Sequence, residues 1–243
     1  MNNIKKLTEP LSKLNIELTD DQISLFLKYH DMLIKTNKVM NLTAITDFNE
    51  SCIKHYADSL SLIKEANLSD IQNIRILDIG TGAGFPGIPL KIAYPYIHIT
   101  LLDSLSKRIR FLNEVIGKLK LNDTGSIYTV DMRAEDYVKE PGIRESYDLV
   151  VSRAVAGLNI LAEYALPYVK IGGSFISYKG DNAVEEISAA ENAVKILGGE
   201  IADVNTFTLP DSNITRTLIN IKKTCPTPDK YPRKAGLPNK KPL

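Results

Sequence analysis

The chain is poor in the residues that build cross-links and metal centres. Its 243 residues include two cysteines and three histidines. Cys52 and Cys225 are too few and too scattered for a disulfide framework or a zinc site, and they suit a reducing compartment. No His, Cys or acidic cluster has ligand spacing, so no metal is expected. No stretch approaches the roughly 18 apolar residues of a membrane span. The first residues lack the apolar core of a signal peptide. The expectation is a cytoplasmic protein without a membrane partner. Internal repeats are absent. A nucleophile–His–acid constellation is missing too, so a serine or cysteine hydrolase has no support.

What is present starts with a hydrophobic fraction of 44%, enough for a real core in one large domain or a domain with a small appendage. The net charge of +1 conceals an asymmetry. Lys222 to Leu243 carries seven Lys or Arg against one acid, Asp229, while the rest of the chain is acidic on balance. Such a segment favours contact with phosphates. Five prolines in the same 22 residues forbid a helix or a central strand there. The composition predicts an extended basic tail over 224–243, either docked on the body or partly disordered.

The first 70 residues read as a helical extension. Leu7, Leu11 and Leu14 share a face, and Thr19 with Gln22 forms a plausible capping box. Ile23, Phe26, Leu27, Leu33 and Ile34 follow at helical spacing. A further helix is predicted over Asn49 to Glu65. From residue 71 to 223 strands and helices alternate. Strands are predicted at 75–80, 98–103, 126–131, 147–152 and 173–179, with helices near 86–94, 106–120, 157–170 and 183–197. This is an α/β pattern with a mostly parallel sheet covered on both faces. Residues 200–209 and 215–222 are joined by Pro210-Asp211-Ser212-Asn213, which leaves no room for a crossover helix. They are predicted to close a seven-stranded sheet as an antiparallel hairpin.

The most informative stretch runs from Ile76 to Gly87. An apolar strand ends at Asp78, and four glycines follow within eight residues (Gly80, Gly82, Gly84 and Gly87). Glycine lets the backbone turn tightly and approach a ligand. The next strand ends in Asp103, placed to accept hydrogen bonds from ribose hydroxyls. Together they predict a nucleoside-containing cofactor. Two details favour S-adenosyl-L-methionine over a nicotinamide dinucleotide. A carboxylate at Asp78, at the mouth of the site, would repel a pyrophosphate and suits a cationic ligand. The terminal hairpin also departs from the repeated parallel half of a dinucleotide fold.

Asp78 to Gly84 resembles the first motif of class I methyltransferases, which have a Rossmann-like fold. Further blocks extend the resemblance: Asn41-Leu42-Thr43, His55-Tyr56-Ala57-Asp58-Ser59, Gly84 to Leu90, Leu102 to Arg108, Ser152-Arg153-Ala154 and Tyr178-Lys179-Gly180. In order and spacing they resemble the RsmG (glucose-inhibited division protein B) family. Tyr231-Pro232-Arg233-Lys234 is similar to the tail of its Gram-positive members. The resemblance implies methylation of N7 of a guanine in bacterial 16S ribosomal RNA, guanine 527 in the usual scheme, with S-adenosyl-L-methionine as donor. It also implies cofactor contacts at Gly80, Phe85, Ala134, Glu135 and Arg153. Asp78, Gly82, Gly84 and Asp103 complete the expected cofactor set. Phe85 either covers the ligand or packs the helix start on the sheet.

Guanine N7 carries an in-plane lone pair and no proton, so its methylation needs placement more than a general base. Arg153 and Lys179, at the ends of the fourth and fifth strands, are the candidates at the reacting centre. Arg153 contacts ligand, guanine or phosphate, or else forms a salt bridge with Asp78 or Glu135. Lys179 holds phosphate or is a solvated strand end. His55 lines the site or braces the N-terminal helices, and bracing is favoured. His30 reads as a surface or boundary residue, and His98 as structural. Lys107, Arg108, Arg110, Arg133, Arg144 and the tail, with Tyr231 among its cations, are candidates for contact with 16S ribosomal RNA or the small ribosomal subunit. A monomer is expected. Two other readings stay open: a same-fold methyltransferase acting on another RNA or a small molecule, and a non-catalytic RNA-binding assembly factor.

Overall fold

Thr19 starts the longest helix by the reciprocal contacts its spacing with Gln22 allows. Its side chain accepts from the Gln22 N–H at 3.3 Å, and its own N–H donates to Gln22 Oε1 at 2.9 Å. The computed structural model describes residues 2–66, 68 and 73–243. α1 (Asn2–Ser12) and α2 (Asp20–Met40) are followed by α3 (Phe48–Ser51) and α4 (Asp58–Leu60). Between the last two the chain widens into a π-helical turn at Cys52–Ala57, and a 3-10 turn follows at Ser61–Lys64. The single helix predicted over Asn49 to Glu65 is therefore broken in pitch. From Ser51 to Leu62 every residue but Lys54 is buried, so packing on all sides outweighs regular helical geometry.

The sheet contains β1 (Arg75–Ile79), β2 (His98–Asp103), β3 (Ile127–Asp131), β4 (Tyr147–Arg153), β5 (Val169–Lys179), β6 (Gly199–Thr208) and β7 (Thr215–Lys223). Their spatial order is β3-β2-β1-β4-β5-β7-β6. The first five strands are parallel. β1, β2 and β4, lying in the interior of the sheet, are buried along most of their length, which is why they read as near-continuous apolar runs. β7 runs antiparallel to both β5 and β6, as the short connection between the last two strands requires. α5 (Gly87–Ala93), α6 (Ser106–Leu119), α7 (Ala134–Tyr137), α8 (Leu158–Ala165) and α9 (Ala183–Ile196) supply the layers. The helix predicted to reach residue 170 stops earlier. Pro167 lies in a 3-10 turn after α8, and β5 begins at Val169.

The N-terminal helices do not stand apart from the sheet. Leu7, Leu11, Phe26, Tyr29 and Tyr56 belong to one apolar cluster with Ile76, Ile99, Leu101 and Val151. Gln22 also donates to the Ile92 and Ala93 carbonyls at 3.0 and 2.9 Å, joining the start of α2 to the end of α5. The expected boundary at residues 70 and 71 lies outside the described residues. Among the described residues, no helix is long and apolar enough to cross a membrane, and no group of three or more His, Cys, Asp or Glu is placed to hold a metal ion.

The tail folds back onto the body and, against the expectation that its prolines forbid a helix, forms a short one, α10 (Leu237–Lys240), with Pro238 in its first turn, where a missing N–H costs nothing. Lys223 is buried, its ammonium donating to Glu145, the Leu166 carbonyl and Thr227 at 2.8, 2.8 and 2.6 Å. Arg144 donates to the carbonyls of Thr227, Pro228 and Tyr231 at 2.7, 3.2 and 2.9 Å. Tyr231 is 7% exposed and belongs to the cluster of Leu77, Val150, Phe175 and Ile219. Two further expectations change here. The guanidinium of Arg144 is taken up by the tail, and the ring of Tyr231 is core instead of an RNA contact. Burial of so large an aromatic stabilises by a few kcal/mol. Tyr231→Ala is accordingly expected to cost about 3 kcal/mol of unfolding free energy, read from a urea denaturation curve. An unchanged midpoint would show that the ring does not hold the fold.

Candidate cofactor and target site

The loop after β1 is shaped by contacts that demand glycine. Gly80 has φ +69°, and a Cβ there would lie 2.5 Å from Val155 Cγ2. Gly84 has φ +107°, and a Cβ would meet Ile88 and Leu112 at 2.5 and 3.0 Å. Gly82 turns its N–H to Asp103 Oδ2 at 3.0 Å. Asp103 also accepts from the Leu105 N–H at 2.9 Å and from Arg108 at 3.0 Å. An ionised carboxylate has about four acceptor positions, so one remains for a ligand hydroxyl.

Asp78 lies under this loop, not at its mouth. It is fully buried, and its Oδ2 accepts from the Thr81 hydroxyl at 2.6 Å and the Gly87 N–H at 2.9 Å. Burial pushes its carboxyl up to about 7, against the pull of these two donors. Its Oδ1 is buried with no protein partner. Asp78 thus clamps the loop from below and leaves one acceptor for a water or a ligand donor.

A cavity of about 300 Å³ opens beside the loop. Gly80, Asp103, Arg108, Ala134, Glu135 and Val155 are among its walls. It lies at the carboxyl ends of the parallel strands, where open α/β sheets build ligand crevices. Asp103, expected from the strand pattern, therefore comes together with Ala134 and Glu135, which the resemblance implied. Phe85 does not join them. Its ring is 6% exposed and stacks on His55 with centroids 4.2 Å apart at 17°, and the Arg153 guanidinium sits 5.1 Å from its centroid. The packing role is the one its geometry supports.

Arg153 points into a second cavity of about 660 Å³, lined also by Lys54, Asp58, Lys179, Glu186 and Arg216. Its salt-bridge partner is neither Asp78 nor Glu135. One nitrogen donates to Asp58 Oδ2 at 2.8 Å and to the Lys54 carbonyl at 2.9 Å. Arg216 reaches the same carboxylate at 2.6 and 2.9 Å. Asp58 is 1% exposed, so this is a buried carboxylate held between two arginines. Lys179 is also paired, with Glu186 at 2.6 Å and the Ala156 carbonyl at 2.6 Å. Four cations face two carboxylates in its walls, and Lys54 also pairs with Glu50 at 2.9 Å, which leaves a positive excess that favours an anion. Ala154 and Val155 line both cavities, so the second opens next to the first.

The family model for rRNA small subunit methyltransferase G matches residues 22–215. The chain belongs to that family. The ribosomal RNA small subunit methyltransferase G of Alkaliphilus oremlandii is 52% identical over 237 residues, covering 98% of this chain and 97% of that protein. Its counterpart in Acetivibrio thermocellus is 50% identical over 242 residues, with 98% and 96% covered. Among solved structures, geranyl diphosphate C-methyltransferase of Streptomyces coelicolor, determined with Mg2+, geranyl diphosphate and S-adenosyl-L-homocysteine, aligns with a TM-score of 0.51 at 11% identity. The alignment covers 69% of this chain and 79% of that one, and the likeness is one of fold, the class I methyltransferase fold.

Four charged residues of this family member's second cavity, Lys54, Asp58, Glu186 and Arg216, went unassigned in the sequence. Asp58 lies inside a quoted block, and its signal is an acid within an otherwise buried helical stretch. Arg216 lies on β7 beside the inward-facing Thr217, and a cation in a short strand is a weaker sign. Among the expected RNA cations, Lys107, Arg110 and Arg133 are exposed. His30 is buried, bonded to the Tyr56 hydroxyl at 3.1 Å, and not a surface residue. His98 bonds Ser126 and Asn73, a structural role.

His55 braces. Its Nε2 lies 2.9 Å from the Thr43 hydroxyl, and its Nδ1 accepts from Arg153 at 3.2 Å. Burial, and then the Arg153 charge, lower its pKa to about 3. The ring is neutral with both nitrogens engaged. Because the folded value lies below the ordinary 6.5, protonation favours the unfolded chain. This contribution to stability is fully present above about pH 6.5 and is lost as the pH falls from there toward 3. The His55 ring resonances are expected to stay flat in an NMR titration from about pH 8 to 5, and an inflection near 6.5 would contradict the arrangement.

Proposed function

We propose that this protein transfers a methyl group from S-adenosyl-L-methionine to N7 of guanine 527 in bacterial 16S ribosomal RNA, acting in the cytoplasm. One observation carries the reading: a nucleoside-sized cavity and a cation-lined cavity meet at the Ala154–Val155 wall. The residues present fit the donor. The volume suits a nucleoside ligand. Gly80 and Gly82 admit close backbone approach, Asp103 has an acceptor position left for ribose, and Ala134 with Glu135 faces the base. Gly84 and Asp78 support the loop from behind. When bound, S-adenosyl-L-methionine supplies an electrophilic sulfonium methyl.

The second cavity takes the target nucleotide. Lys54 and Arg216 meet its phosphates, Lys179 holds the strand end, and Arg153 presents its guanidinium to the O6 edge of guanine or to phosphate. No side chain removes a proton, because N7 carries none. His55, neutral and engaged at both nitrogens, is consistent with that. Placement of an unprotonated nucleophile contributes on the order of 7–11 kcal/mol in well-oriented pairs. N7 in the deep groove of an A-form helix is out of reach of side chains, so the guanine is presented from a loop or flipped out. The N-terminal helices carry Lys54, His55 and Asp58 to the sheet that builds the cofactor cavity. One chain builds both cavities, so a monomer suffices.

Methylation of small subunits from a strain lacking the gene, followed by mapping of the modified base, tests the reading. Label at guanine 527 is expected, and label elsewhere or none would refute it. Arg153 separates the roles of the two cavities. Arg153→Met is expected to lower rRNA methylation about 100-fold, while calorimetric affinity for S-adenosyl-L-homocysteine changes less than about twofold. A large loss of cofactor affinity would instead place Arg153 among the cofactor contacts.

A further inference from the structure

We propose that the C-terminal tail is a working part of the cofactor cavity, with the Gly236 N–H positioning the Glu135 carboxylate. The inference rests on the reading above, in which Glu135 faces the donor. Glu135 is 4% exposed and lines the first cavity. Its Oε1 accepts a hydrogen bond at 3.0 Å from the backbone of Gly236, 101 residues away in sequence. Gly236 can present that N–H because its φ is +80°, a conformation that other residues rarely adopt.

The rest of the tail aims this contact. Arg233 clasps Glu163, whose residue is fully buried, through its backbone N–H at 2.8 Å and its guanidinium at 2.5 to 3.1 Å. Glu163 lies on α8 next to Tyr164, and Tyr164 is another wall of the same cavity. Tyr231 and the Arg144 contacts fix the chain upstream. The segment from Thr227 to Gly236 thus runs from core anchors to a cavity carboxylate. A carboxylate in a site that must match a ligand gains from a donor that fixes its orientation.

Thermodynamic coupling is reciprocal. A tail that orders Glu135 for the donor is itself held more firmly when the donor is bound. The tail also carries exposed Lys230, Lys234, Lys240 and Lys241 on its outer side. Donor occupancy is therefore linked to the seating of a cationic segment.

The experiment compares the full chain with a chain ending at Lys234. That truncation removes the Gly236 donor and keeps Tyr231 and Arg233. The same pair is then made with Glu135→Ala. Calorimetry with S-adenosyl-L-homocysteine is expected to show about tenfold weaker binding on truncation. In the Glu135→Ala background truncation should add less than about twofold, because the tail acts through that carboxylate. In methylation assays the KM for the donor rises while kcat at saturating donor holds. In the full chain, saturating product should slow tryptic cleavage after Lys234. Equal affinity with and without residues 235–243, or a tenfold loss that persists with Glu135→Ala, would overturn the inference while leaving the proposed function standing. A full chain that binds neither the donor nor its product would sink both.

Discussion

Asp58 receives Arg153 from β4 and Arg216 from β7, and this buried contact joins three segments that lie far apart in the sequence. The carboxylate comes from the N-terminal helical segment and the arginines from the sheet. An isolated buried charge is unfavourable by several kcal/mol, so each group is tolerable only because the others are present. The arrangement keeps a positive excess next to the cofactor crevice without leaving an unpaired charge in the core. It also sets the ring of His55, which lies between Arg153 and Thr43 and is kept neutral by burial first and by the Arg153 charge second. The stacked Phe85 completes the partition between the packed interior and the crevice.

The N-terminal helices therefore belong to the chemistry as much as to the scaffold. The Tyr29 hydroxyl donates to the Ala83 carbonyl at 2.6 Å, so α2 holds the glycine loop from one side while Asp78 holds it from beneath. The Tyr178 hydroxyl donates to the Ser59 carbonyl at 2.8 Å, fixing α4 against β5. These bonds are buried, and in such surroundings an unmade partner would cost about 1–3 kcal/mol. They explain why a segment that reads as an appendage shares one apolar cluster with the sheet. A loop held on two sides keeps its shape before the ligand arrives, which lowers the ordering cost of binding.

Much of the fold was legible because strand and helix periods are local properties. The five parallel strands, the closing hairpin and the capping box at Thr19 all follow from spacing along the chain. The glycine turn and Asp103 were legible for the same reason, since parallel topology brings strand ends together; Ala134 and Glu135 came from the family resemblance, and their place after β3 agrees with it. Phe85, Asp78 and Arg153 were less legible. The directions of Phe85 and Arg153 depend on neighbours from α2, the π-helical turn and α4, and Asp78 turns down to Thr81 and Gly87 because the loop folds back over it. Lys91 is a comparable case. It is buried with its ammonium among the carbonyls of Pro95, Ile97 and Thr124, and no local pattern announces such a cage.

The tail shows the same division most sharply. Its prolines and cations are visible in one dimension; they exclude a central strand, but not the four-residue α10, where Pro238 fits the first turn. Whether its aromatic faces solvent or core depends on a hydrophobic surface built by other strands, and burial of apolar area decides that outcome. The sequence by itself determined the class of fold, the glycine turn and the strand-end acids, because these need only neighbours along the chain. Tertiary structure alone decided which charges pair, which rings stack and where the tail comes to rest. Those choices are made by desolvation and shape between residues that a hundred positions of sequence can separate.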